Sequence, residues 1–430
     1  MRELRIPWPR GGRPGRWPRA RVARSAVAAS LLAAAACTAQ AAPPLPLLGL
    51  DPARTTLSGL SSGGFMAVQM HVAYSATFAA GAGIVAGGPF HCAEGSFALA
   101  VGRCMAHAAP IPVAGLVATT RRWADAGSID PVANLARSKV YLYSGTADDT
   151  VRRPVVDALL AYYGSFLPAT RIVYRNDVPS GHAMITDGPG AGCAASAPPF
   201  IDDCGFDLAG AMLGHLYGAL APRNDGAPSG TLAEFDQSVY VRGHGMAAGG
   251  WLYVPRARAA GGARCRLHAA FPGCRQNAAA VGGQFVRHAG YNRWADTNAL
   301  VVLYPQTGAA APNGCWDWWG YDSADYAVKN GPQMAAVKAM VDALVDSAAP
   351  ASSTARGATT GTPPAAASPS SAAACFTSSN YEHTAAGRAH VGFGLALANG
   401  SNQNMGLWNV FVTTTLKRIA PDRYVIGGCG

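Results

Sequence analysis

The sequence predicts an α/β fold for a large body, with a small β-rich module attached at the C-terminal end. Three observations lead there. Short runs rich in β-branched and aromatic residues alternate with helix-period patterns through residues 42–347. A tract at 348–374 holds no large apolar side chain and cannot build a core, so it reads as a low-complexity linker. Beyond it, 375–430 carries a few strand-like runs separated by polar turns. With 430 residues, half of them hydrophobic, the chain can bury one large core and still leave material for an appendage.

Within the body, 53–57 supplies a short strand, and Phe65, Met66, Val68, Gln69 and Val72 continue as a helix with an apolar face. Residues 140–143, Val-Tyr-Leu-Tyr, read as a buried strand ending at Ser144-Gly145, followed by a helix over 154–163 and a strand at 171–174. Strands at 266–271 and 300–304 flank a helix near 284–295. Met334, Val337, Met340, Val341, Leu344 and Val345 recur at helical spacing, so the body closes on an amphipathic helix.

Residues 1–41 have the layout of a cleaved signal peptide: an Arg-rich start, an apolar stretch at 26–36, and Ala39-Gln40-Ala41 as the small-residue site. The Arg-rich region is long enough that translation could begin downstream, and Cys37 leaves a lipoprotein alternative. The formal charge of +10 belongs largely to this leader. Eight Arg precede residue 25 against the single acid Glu3, so the remainder carries only +3, which argues against a nucleic-acid partner. No stretch has eighteen uninterrupted apolar residues, so no membrane span is expected in the mature chain.

Ten cysteines in an exported chain favour disulfides over metal clusters. Cys37 leaves with the leader. Proximity pairs Cys92 with Cys104 and Cys193 with Cys204, while Cys375 and Cys429 bracket the last segment. Cys265, Cys274 and Cys315 remain, an odd set. No Cys or His cluster has zinc spacing, and no metal or cofactor is expected.

Gly59-Leu60-Ser61-Ser62-Gly63 matches the pattern in which glycines permit a sharp strand-to-helix turn that exposes a nucleophilic serine. In a Gly- and Ser-rich chain the motif alone is weak, but here a strand precedes it and a helix follows. A serine needs a histidine to take its proton and a carboxylate to hold that histidine. Asp148 lies just past the 140–143 strand, with Asp149 as the alternative acid, and His182 lies past the next strand within Ser180-Gly181-His182. The order Ser, Asp, His is that of α/β hydrolases. One oxyanion donor is then the N–H of Ser62. The other normally comes from a strand that precedes the nucleophile, and here that strand, 266–271 leading into Pro272-Gly273-Cys274, comes after the histidine. A circular permutation accounts for this, with Cys274 giving the second N–H.

Ser58-Gly59-Leu60-Ser61-Ser62-Gly63-Gly64-Phe65-Met66-Ala67, Ser180-Gly181-His182-Ala183-Met184, Gly273-Cys274-Arg275-Gln276-Asn277 and Cys315-Trp316-Asp317-Trp318-Trp319 resemble the motifs of single-domain poly(3-hydroxybutyrate) depolymerases. The resemblance spans about 50–345. It implies a single-domain, circularly permuted α/β-hydrolase fold, the triad Ser61, Asp148 and His182, oxyanion donors Ser62 and Cys274, and an ester of 3-hydroxybutyrate as substrate. Two departures stand out. Pro272 replaces the histidine usual in His-Gly-Cys, removing a side-chain donor and a backbone N–H. Arg258 stands where relatives carry a cysteine fit to pair with Cys265, which makes Cys265 the expected odd cysteine.

Trp316, Trp318 and Trp319, with Tyr321, crowd one loop, either as core or as an apolar platform for an uncharged aliphatic polyester. No Arg fork for an anionic substrate is evident. The C-terminal module resembles one appended to some depolymerases, where polymer binding is the expected role and a stabilising role the alternative. The leading reading is thus a secreted, extracellular or periplasmic serine esterase acting on poly(3-hydroxybutyrate) or its oligomers. The alternatives are a feruloyl or acetylxylan esterase of the same fold and, given Pro272, a non-catalytic surface-binding protein.

Overall fold

The computed structural model describes residues 42–256, 265–346, 375–392, 395–401, 403–407 and 413–427. The expected signal peptide, the linker 348–374, Arg258, Trp408, Phe411 and Cys429 lie outside the described residues.

Eight strands form the central sheet: β1 (Thr55–Leu60), β2 (Gly81–Val85), β3 (Lys139–Tyr143), β4 (Ile172–Arg175), β8 (Thr231–Asp236), β9 (Gly249–Val254), β10 (Arg266–Phe271) and β11 (Leu300–Tyr304). Between β4 and β8 lie the short strands β5 (Met184–Thr186), β6 (Ala191–Gly192) and β7 (Ile201–Asp203), which make a small sheet of their own in the order β5-β7-β6. The central order is β4-β3-β2-β1-β10-β11-β9-β8. The six strands from β4 to β11 are parallel, and β9 and β8 close one edge antiparallel. Every residue of β1, β2 and β11 is buried; β2 and β11 are continuous apolar runs, as helices on both faces require, while β1 also buries Thr56 and Ser58, both bonded to His268.

The permutation is visible in this order. β10, the expected oxyanion strand, pairs with the nucleophile strand β1, aligning Gly59 with Phe271. The helix Pro332–Val345 returns to the start of β1, where the Leu50 N–H donates to the Leu344 carbonyl at 3.0 Å. The two ends of the body therefore meet where an unpermuted chain would run on.

Several expectations are refined. The helix after Ser61, α1 (Ser62–Ala73), has no polar face, because all twelve of its residues are buried. The helix expected near 284–295 is two, Gln284–His288 and Tyr291–Thr297, broken at Gly290 with φ 91°. The patterns for β10 and β11 fall on the observed strands, and those for β3 and β4 within a residue. β2, β8, β9 and the helices α2 (Phe97–Gly102), α3 (Val113–Asp125), α4 (Arg153–Tyr163, expected over 154–163) and α5 (Leu208–Tyr217) complete the body.

The C-terminal segment has two three-stranded antiparallel sheets, β12 (Cys375–Ser379) with β16 (Thr413–Ala420) and β17 (Arg423–Ile426), and β13 (Ala389–Gly392) with β14 (Leu395–Ala398) and β15 (Asn404–Leu407). Ala389, Ala396, Ala398, Met405, Leu416 and Tyr424 make its core. Cys375 is disulfide-bonded. So small a core needs such a staple.

Two buried histidines give the body an acid-sensitive stability. His71 on α1 bonds through Nδ1 to the Tyr163 hydroxyl at 2.9 Å, and His268 on β10 bonds to Thr56 and Ser58 at 2.8 and 2.7 Å. Burial lowers each pKa to about 3. An unfolded histidine takes its proton near 6.5, whereas these remain neutral until about pH 3, so unfolding takes up protons in between. Stability present above pH 6.5 is lost as pH falls, at up to about 1.4 kcal/mol per pH unit for each group. Urea unfolding at pH 7 and pH 5 is expected to show this loss, and His71→Asn to lessen the slope by about one proton. An unchanged slope in that variant would count against the assignment.

Candidate active site

Ser61 stands at the turn between β1 and α1 with φ 58° and ψ −124°, a conformation that costs about 1–3 kcal/mol for a non-glycine residue and is held by its surroundings. Its N–H donates to the Val85 carbonyl at 2.9 Å. Gly59 and Gly63 make the turn possible. A Cβ on Gly59 would sit 2.1 Å from the Gly63 carbonyl oxygen, and one on Gly63 would sit 2.4 Å from that of Phe271. The motif glycines are therefore required by close backbone approach, and they bring α1 against the end of β10.

Asp148 follows β3 and His182 follows β4, both at the same sheet edge as Ser61. His182 Nδ1 lies 2.8 Å from Asp148 Oδ2, and both residues are buried. Asp148 Oδ1 accepts the N–H groups of Thr150 and Val151 at 2.9 and 3.0 Å, which fixes the carboxylate. The two loops are bound to each other by Thr146 N–H to Val178 O and Ala147 N–H to Ser180 O. The His182 N–H donates to Ser196 Oγ at 2.8 Å, in a loop closed by the Cys193–Cys204 disulfide. Asp149, the alternative acid, is exposed. Ser61 and His182 line one cleft of about 500 Å³.

The turn after β10 borders that cleft through Gly273, Cys274, Arg275 and Gln276. Gln276 Oε1 accepts the Gly273 N–H at 2.8 Å, Asn313 O accepts that of Arg275 at 2.7 Å, and Gly273 O accepts that of Gln276. Among the described residues the N–H groups of Ser62 and Cys274 have no acceptor. Two donors beside Ser61 are thereby left for an incoming oxygen. Cys274 is bonded to Cys315, so two of the three leftover cysteines pair across 41 residues. Cys265, the expected odd one, is buried in the core. Pro272 does not leave the turn loose: Trp316 Nε1 donates to its carbonyl at 2.9 Å.

That bond corrects one expectation. Trp316 is fully buried, packs edge-on against Phe271 and braces the turn from behind, so it does not line the cleft. Trp318 and Trp319 do line it, with Trp318 stacked on Phe65 at 3.9 Å. Burial raises the pKa of Asp317 to about 6 even though its carboxylate accepts four backbone N–H groups, those of Gly320, Tyr321, Asp322 and Ser323. Asp317 thus shapes the loop that carries the tryptophans. Sequence reasoning missed the part of the wall made by α2, where Phe97, 63% exposed, meets Trp319 with ring centroids 6.0 Å apart and Val101 is 40% exposed. The one signal was a pair of apolar residues four apart inside the Cys92–Cys104 loop. Phe200 and Arg275 were missed as cleft residues as well; the sequence had shown no evident Arg fork, and Arg275 supplies a single guanidinium there.

A serine on a strained strand-to-helix turn, a histidine–aspartate pair at the same sheet edge and a permuted parallel sheet define a carboxylic ester hydrolase of the α/β-hydrolase class. No protein-family model matches the chain. It is 49% identical to a poly(3-hydroxybutyrate) depolymerase of Delftia acidovorans, over 90% of this chain and 94% of that one. A polyhydroxybutyrate depolymerase of Talaromyces funiculosus is 38% identical, over 71% of this chain and 93% of its own. Among solved structures, a serine-to-alanine variant of a PHB depolymerase complexed with an R3HB trimer superposes with a TM-score of 0.67 at 37% identity, covering 70% of this chain and 98% of that one. The chain belongs to the poly(3-hydroxybutyrate) depolymerase family.

Proposed function

We propose that the protein hydrolyses poly(3-hydroxybutyrate) or its soluble oligomers through an acyl-enzyme on Ser61. The observation that carries this reading is the 2.8 Å bond that joins Asp148 to His182, which lines one cleft with Ser61. His182 Nε2 takes the Ser61 proton as Oγ attacks the ester carbonyl, while Asp148 holds Nδ1–H and stabilises the imidazolium. The Ser62 and Cys274 N–H groups receive the oxyanion. The proton then passes to the leaving alcohol, and water repeats the cycle to free the acid. Trp318, Trp319, Phe97 and Phe200 give the cleft apolar walls suited to an aliphatic ester.

Three disulfides between described residues, with Cys375 bonded as well, are the chemistry of an oxidising compartment, which supports export, either to the medium or to a periplasm. No helix among the described residues is long and apolar enough to cross a membrane. The domain reading adds a linker at 348–374 and a polymer-binding role for 375–430, with Trp408 and Phe411 as the first positions to replace. Tethering on a particle raises the local concentration of substrate for the body.

Purified mature protein is expected to release 3-hydroxybutyrate from amorphous polymer and not ferulate from an aryl ester, and Ser61 to be labelled by a fluorophosphonate. Ferulate release without polymer hydrolysis would favour the esterase alternative, and absence of labelling the non-catalytic one. Deleting 348–430 is expected to leave soluble short-chain ester hydrolysis within a few fold while lowering granule binding. Equal granule binding by the truncated chain would remove the proposed role of the module.

A further inference from the structure

Arg275 is the unexpected group in the cleft. It sits two residues past Gly273 in the turn that borders Ser61, with φ 54°, and its backbone N–H is fixed by the Asn313 carbonyl. A Cβ on Gly273 would lie 3.3 Å from Ser61 Cβ, so this turn runs directly beside the reacting serine. The Arg275 side chain is exposed, lines the cleft and places its guanidinium 5.7 Å from the centre of the Phe200 ring, another cleft wall. Among the described residues it makes no ion pair, and no Asp or Glu lines the cleft. Apart from His182, the walls are otherwise uncharged.

A cation without a counter-ion, held over an aromatic face at the edge of an apolar cleft, is a carboxylate-binding device. A neutral polyester segment offers it ester carbonyl acceptors but no negative charge. An oligomer of a hydroxy acid supplies that charge, because such a chain ends in one free carboxylate and each hydrolysis creates another. We infer that Arg275 binds the terminal carboxylate of soluble oligomers, so that the enzyme prefers short acid-ended substrates to neutral ones of the same length. This rests on the reading of the cleft as the site of 3-hydroxybutyrate ester hydrolysis. The alternative is that Arg275 only clamps the turn by stacking on Phe200, in which case removing it would affect charged and neutral substrates alike.

The test compares a 3-hydroxybutyrate trimer acid with its methyl ester, which differs in charge and in little else, for the wild type and Arg275→Gln. In the wild type the acid is expected to show a KM about tenfold below that of the methyl ester at low salt, with the difference shrinking as salt rises. In Arg275→Gln the ratio is expected to fall to near one. Because the readout is a ratio between two substrates on one enzyme, a general effect of the variant on catalysis cancels. A wild-type ratio near one, or a ratio unchanged by the substitution, overturns the inference while leaving the ester hydrolase reading in place. Failure of the wild type to cleave either trimer overturns both.

Discussion

Ser61→Ala and His182→Ala are each expected to lower kcat by about 10⁴-fold or more on a soluble ester, with the fold intact. Each removes a chemical role and little packing, since both side chains stand at the wall of the cleft. Asp148→Asn is expected to follow closely. Its Oδ1 can still accept from Thr150 and Val151, so the loop keeps its shape, but an amide nitrogen facing His182 Nδ1 imposes the wrong tautomer. Asp149→Asn, at an exposed position, is expected to stay within a few fold of the wild type. Initial rates, fluorophosphonate labelling and thermal melts on the four variants make the comparison. An inactive Asp149→Asn beside an active Asp148→Asn would overturn the choice of acid.

The permuted order and the strand ends on which Ser61, Asp148 and His182 were expected were legible because several of these strands have a strong local pattern. 140–143 is a continuous apolar run and 266–271 is apolar apart from Arg266 and His268, and a buried parallel strand leaves such a mark in sequence without help from neighbours. What was hidden depends on contacts between distant segments. All of α1 is buried, and its polar residues His71 and Gln69 are satisfied there by partners that arrive from far along the chain, Tyr163 for His71 and the carbonyls of Asp317 and Tyr326 for Gln69. Gly290 broke a helix whose periodicity ran through it. Trp316 and Trp318 share a loop and a residue type, yet one braces Pro272 and the other faces the cleft, a distinction set by which side of the turn each occupies. The Cys274–Cys315 pair joins residues brought together only once β10 and β11 lie side by side.

Gln276→Ala is expected to lower kcat on a soluble ester by about 10²-fold while changing KM by only a few fold, although its side chain lends no atom to the chemistry proposed here. Gln276 is 1% exposed and spends both ends of its amide on the oxyanion turn and its neighbour: Oε1 accepts from Gly273, and Nε2 donates to Pro199 and Phe200 at 3.0 and 2.9 Å. It takes up the Gly273 N–H, while that of Cys274, the proposed oxyanion donor, has no acceptor among the described residues, and it anchors the turn to the segment carrying Phe200. Truncation would strand the buried Gly273 N–H and the Pro199 carbonyl, at about 1–3 kcal/mol for each unsatisfied group, while the Phe200 carbonyl keeps the Met184 N–H, and would allow the turn to rotate. An oxyanion donor displaced by an ångström loses most of its effect at the transition state while ground-state binding by the apolar walls is retained, which is why the loss is expected in kcat. Fluorophosphonate labelling should slow in parallel, because the phosphoryl oxygen uses the same two donors. Gln276→Glu keeps the acceptor for Gly273 and loses the two donations, so its kcat should fall between the wild type and the alanine variant. Should kcat hold in both, the Cys274–Cys315 disulfide and the Trp316 bond to Pro272 suffice to hold the turn, and the amide is only a brace for the core.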